Sequence, residues 1–169
     1  MKTKRLTVLS LLLAAAMLLS FVEAAVGFNF VVPGIKLGLA NSVALILVAF
    51  SKYKAAWIIN VLRVAATCLL FGNLMSFLFS VSGAVLSLGM MCIAQNIFKF
   101  SPFGVSFLGG IFHNIGQLIA AFLVFGSAAV FGYIPYLVIA GAVCGGLTGF
   151  AVMLILKNKN IKEVFTKEI

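Results

Sequence analysis

The sequence predicts an all-α membrane protein, a bundle of six transmembrane helices forming one integral membrane domain over residues 1–169. Three observations predict it. The chain is 64% hydrophobic and 9% charged, whereas a soluble domain is about 45–50% apolar and about 25% charged. Its apolar residues fall into long runs punctuated by Pro, Gly, Asn and Lys. A crossing helix needs about 20 mostly apolar residues, so this length holds about six, with short loops and no extramembrane domain. The same composition excludes a soluble globular domain, a disordered chain and a secreted disulfide scaffold.

Helix one is expected at about residues 6–26, after Lys2, Lys4 and Arg5. Its start has the form of a signal peptide, with Val22-Glu23-Ala24 at the cleavage position. Yet the run Leu6–Val22 exceeds the usual apolar region of about 7–15 residues, and cleavage would leave five spans, so the helix is read as retained. Helix two (about 33–50) opens on Pro33, where a missing N–H costs little. Helix three is placed at about 54–71. Both are near 18 residues, about 27 Å long, just enough for a hydrocarbon core of about 30 Å. Helix four (about 74–97) is followed by Pro102 and helix five (about 103–125). Pro135 lies at the start of helix six (about 134–156).

The charges orient this bundle. Lys2, Lys4, Arg5, Lys52, Lys54, Lys99, Lys157, Lys159, Lys162 and Lys167 fall on one side, leaving Lys36 and Arg63 of the twelve basic residues. Basic residues mark the cytoplasmic side, so both termini are expected there. The net charge of +9 is therefore a topology signal and does not point to nucleic acid, which needs a basic solvated face.

Ionisable groups within a membrane are costly and are candidates for function. Glu23 and Arg63 are two such groups. Either they pair and lock two helices together, or one of them meets a charged ligand; Glu23 is also close enough to the outer interface to be solvated there. Asn60, Arg63 and Thr67 share one face of helix three, which must point into the bundle because lipid cannot satisfy a guanidinium. Helix five carries Gly109-Gly110-Ile111-Phe112-His113-Asn114-Ile115-Gly116-Gln117, in which His113, Asn114 and Gln117 form a polar stripe. Interhelical hydrogen bonding explains one such residue; three within five positions favour a binding site. Before helix two, Lys36 is suited to an anionic group, or to snorkelling. Asn41 follows it, and Phe28 and Phe30 are placed to close an apolar lid.

Cys68, Cys92 and Cys144 lie singly in apolar runs without metal spacing, and a lone His113 is a poor metal site. No metal or cofactor is expected. Small residues form three faces: Ala16, Ser20 and Ala24 on helix one, Ser80, Gly83 or Ala84 and Ser87 on helix four, and Gly141, Gly145 and Gly149 on helix six. Such faces permit close helix contact.

Pro33-Gly34-Ile35-Lys36-Leu37-Gly38-Leu39-Ala40-Asn41, Arg63, Phe100-Ser101 through Gly104-Val105-Ser106-Phe107-Leu108-Gly109, and His113-Asn114-Ile115-Gly116-Gln117 together resemble the Gx transporter family, often labelled heptaprenyl diphosphate synthase component I. The resemblance covers nearly the whole chain. That family is similar to the substrate-binding S components of energy-coupling factor (ECF) transporters. These are six-helix bacterial membrane proteins that capture a small ligand from outside and dock on a coupling subunit carrying two ATPases. The resemblance implies docking through Ala16, Ser20 and Ala24, where Ser20 departs from the usual alanine, and a redox or isoprenoid context.

The synthase label meets a chemical obstacle. Magnesium-bound diphosphate needs oxygen ligands, and the chain has no aspartate and three glutamates, Glu23, Glu163 and Glu168. It also lacks a GxxxxGK[ST] loop and shows no nucleophile–base–orienter triad, so it is read as a non-enzyme. The expected function is capture of a small ligand by Lys36, Asn41, Arg63, His113, Asn114 and Gln117. The alternative is a non-catalytic membrane subunit of an isoprenoid, quinone or flavin-linked electron-transfer complex.

Overall fold

In the computed structural model, which describes residues 2–26 and 38–167, the apolar runs fold as helices throughout. They are α1 (Lys2–Val26), α2 (Asn41–Ala49), α3 (Tyr53–Phe71), α4 (Leu74–Asn96), α5 (Pro102–Phe125), α6 (Ile134–Leu156) and α7 (Lys159–Lys167), with a 3-10 turn at Ala128–Tyr133 before α6. Among the described residues there is no strand, and five helices (α1, α3, α4, α5 and α6) are long and apolar enough to cross a membrane. The chain is a multi-pass membrane protein.

Local chemistry sets the helix ends. Asn73 accepts the Ser76 amide at 2.8 Å and opens α4. Ser101 caps α5 ahead of Pro102, whose missing N–H falls among the amides that lack an intrahelical partner. Gly126, left-handed at φ 63°, closes α5.

Helix two departs from its expected span of 33–50. Its expected start at Pro33 lies outside the described residues, but Gly38–Ala40 are not helical and α2 begins at Asn41. Gly38 has a φ of +78°, a left-handed conformation that glycine adopts without steric cost and that interrupts a right-handed helix. At the other end, Ser51 also turns left-handed. There the Ser51 amide reaches the Val48 carbonyl and the Lys52 amide that of Leu47, each at 2.8 Å, the two-bond closure typical of helix C-termini. Nine residues rise only about 13 Å, too little to span.

That short helix is nonetheless the centre of the molecule. It touches α1, α3, α4, α5 and α6, and Val43 through Val48 are all buried. Around it, α5 packs most extensively, against α4 on one side and α6 on the other. These two contacts are backbone-close. A Cβ on Gly110 would stand 2.1 Å from the Gly141 carbonyl oxygen, and one on Gly145 would stand 2.5 Å from that of Ser106. The helix-six glycines therefore serve packing within the chain, as such spacing does in membrane bundles.

The sequence reading stops at Leu156, whereas the chain forms one more helix. In α7, Ile161, Val164 and Phe165 fall at i, i+3 and i+4, one apolar stripe among polar residues. Phe165 is buried and stacks on Phe50 with ring centroids 4.9 Å apart.

Candidate functional site

The polar residues singled out in the sequence fall into three places. The first lies between α1, α3 and α4, toward the end of the bundle away from most lysines. There a cavity of about 50 Å³ is lined by Ser20, Glu23, Arg63, Thr67, Ser76 and Ser80, among others. Arg63 is 8% exposed. Its Nη1 donates to Ser20 Oγ at 3.1 Å and its Nη2 to Asn60 Oδ1 at 2.8 Å. Asn60 in turn donates to the Ala84 carbonyl of α4 at 3.3 Å. The helix-three face therefore points inward as expected.

Glu23 does not form a direct ion pair with Arg63 among the described residues, although the two attract each other electrostatically. Its Oε1 accepts instead from the amides of Gly38 and, at 3.0 Å, Leu39. The start of α2 carries no side-chain cap of its own; a carboxylate from α1 replaces it, where negative charge also complements the helix dipole. The sequence reading missed this role, whose partners are backbone groups that leave no mark in the pattern. Arg63 thus keeps a buried charge with two of the five guanidinium N–H donors engaged.

The second place lies between α2, α4 and α5. Asn41 Nδ2 approaches Ser87 Oγ at 3.5 Å and His113 Nδ1 at 3.4 Å, and His113 Nε2 lies 3.0 Å from the Gln117 amide. A neutral imidazole offers one N–H and one lone pair. The network balances when Asn41 donates to Nδ1 and Gln117 presents its carbonyl oxygen to Nε2–H, an amide orientation set by hydrogen bonding. Asn41, Ser87, His113 and Gln117 are all buried. Gly83 makes room for them, since a Cβ there would sit 2.9 Å from the imidazole Cε1.

Asn114 belongs to a third place. It donates to the Leu137 carbonyl of α6 at 2.8 Å, and its Oδ1 is buried with no donor among the described residues. The structure therefore brings Asn41, His113 and Gln117 together, sets Arg63 across α4 from them, and separates Asn114 from both. Lys36, Phe28 and Phe30 lie outside the described residues.

On α1, Ala16 is buried and Ser20 is held by Arg63, while the side chain of Ala24 lies outside the described residues. The first two members of this small-residue face are thus occupied within the chain. Ser80 and Ser87, part of the helix-four face that packs closely on α5 at Gly83, also bring hydroxyls to the cavity lining and the network. Their polarity and i, i+7 spacing were the available signal.

No curated protein and no solved structure matches this chain. One protein family does, over residues 12–155, from the middle of α1 almost to the end of α6. The match therefore takes in the Arg63 cavity, the His113 network and the glycine contacts alike, and by it the chain belongs to the family described as heptaprenyl diphosphate synthase component I.

Proposed function

We propose that this chain is a ligand-binding membrane subunit that captures a small molecule bearing an anionic group from the extracytoplasmic side. The observation that carries this reading is Arg63. It is a buried guanidinium beside a polar cavity, and no carboxylate among the described residues lies within ion-pair distance. The stretch 27–37 holds no acidic residue to supply one. A charge kept in such a place without an ion-pair partner at contact distance is costly, and an anionic ligand offsets that cost.

Ser76, Ser80 and Thr67 give the cavity hydroxyls. An apolar groove of about 200 Å³ between α3 and α4 shares Val64 and Phe77 with it. The ligand is therefore an anion with an apolar body. Lys36, two residues before the Gly38 amide held by Glu23, is the second cation, and Asn41, His113 and Gln117 are polar contacts reached across the small-residue face of α4. Asn114 serves as a bond between α5 and α6. In this reading the ten-lysine-and-arginine side is cytoplasmic. Uptake is driven by a coupling subunit with two ATPases, which meets the exposed α1 face of Leu11, Leu18 and Phe21.

Mass spectrometry of small molecules released from gently purified protein tests the site. Wild type is expected to release an anionic compound, and Arg63→Gln at least about tenfold less of it, the equivalent of one lost charged contact. Equal recovery from both proteins rejects the assignment.

The family description supports a second reading, a membrane subunit that assembles with a second synthase component. On this reading too the chain is not the catalyst, because its residues do not fit a magnesium–diphosphate site: there is no aspartate, and Glu23 is engaged by amides. Co-purification separates the two readings. ECF subunits in the pull-down support the first, and a soluble prenyl synthase the second.

A further inference from the structure

The lysine-rich end of the bundle holds a larger cavity, of about 380 Å³, that the proposed ligand site does not use. The end of α2, the end of α6 and the start of α5 wall it with Phe50, Met153, Leu156 and Pro102, and Lys157 and Lys162 bring exposed ammonium groups to it. Its geometry depends on α7. The Phe50–Phe165 stack and the packing of Ile161 against the core hold that helix at the end of the bundle, so the exposed Lys162 lines the same cavity as Phe50.

Nearby, the turn after α4 exposes Phe98 and Phe100, stacked at 5.6 Å on either side of Lys99. Basic residues at the ends of transmembrane segments, here Lys99 with Lys157 and Lys162, mark the headgroup level of a bilayer. Basic pockets between transmembrane helices at this level suit lipid headgroups.

We infer that this cavity binds an anionic phospholipid of the leaflet on the lysine-rich side. Its phosphate lies between Lys157 and Lys162, and its first acyl carbons lie against Phe50, Met153 and Leu156. Charge complementarity selects the headgroup. The walls select a lipid over a free anion, because a soluble phosphate gains nothing from four apolar side chains. The cavity is smaller than a whole phospholipid, whose remaining chain stays in the bilayer.

Native mass spectrometry of the full chain in neutral detergent, with added phosphatidylglycerol or phosphatidylcholine, tests this. Wild type is expected to retain phosphatidylglycerol at least about fivefold over phosphatidylcholine, as two adjacent lysines favour an anionic headgroup. Lys157→Gln with Lys162→Gln should abolish that preference. Lys52→Gln with Lys54→Gln removes the same charge from the same end and should leave it intact. Inorganic phosphate should not displace the bound lipid. Equal retention of the two lipids by wild type, equal loss in both double variants, or displacement by phosphate alone each overturns the site. All four lysines are at least partly exposed, and an unchanged melting temperature confirms that the variants fold.

Discussion

Glu23 reaches 15 and 16 residues along the chain to hold two backbone amides at the start of α2. A hydrogen bond to a charged group contributes about 1.5–3 kcal/mol, and the amides it leaves bare are costly when half-buried. Glu23→Ala is therefore expected to destabilise the fold by about 2–3 kcal/mol, and Glu23→Gln, which keeps an acceptor but not the charge, by about 1–2 kcal/mol. Thermal unfolding in detergent, followed by helicity, checks both; wild-type melting of Glu23→Ala would show that the cap carries no stability. The sequence marks Glu23 as consequential but not its partners. The same limit applies to the helix-five stripe. Neighbouring residues on a helix point about 100° apart, so His113 and Asn114 face different neighbours, and spacing alone does not say where one neighbour ends and the next begins.

Among the helices, the ends of five were legible to within a few residues because capping and proline signals are local. Helix two was not, since Gly38 interrupts a run that composition alone reads as continuous. Helix seven was missed for the opposite reason: its apolar residues are three among charges, and they form a helix because Phe165 and Ile161 find a surface to cover. The glycines divide in the same way. Gly110→Ala would press a methyl into the α6 backbone, which cannot yield as a side chain does, and is expected to cost at least about 2 kcal/mol. Gly89, inside α4, has nothing within 4 Å of its missing Cβ; Gly89→Ala should stabilise by about 0.5–1 kcal/mol through reduced backbone freedom. Melting temperatures of the two variants should move in opposite directions, and a parallel shift would refute the close α5–α6 contact.

At the scale of the molecule, the asymmetry of charge sets an expected orientation. In a variant with Cys68, Cys92 and Cys144 replaced by serine, Gly132→Cys before α6 should react with an impermeant thiol reagent on intact cells. Asn158→Cys, after α6, should react only once the membrane is opened. The reverse pattern would invert the bundle and place the Arg63 cavity on the cytoplasmic side, removing the basis for capture from outside.

The sequence by itself determined the membrane class, the five long helices and the segregation of ten basic residues to one end. A chain in lipid must satisfy its backbone within each segment and expose apolar side chains, and both requirements are met residue by residue along the run. The tertiary structure alone decided that α2 is a short buried core, that Glu23 serves amides rather than Arg63, that Arg63 is left beside a polar cavity, and that α7 borders a second one. Each of these depends on groups far apart in the chain, and two of them on backbone atoms that every residue type shares.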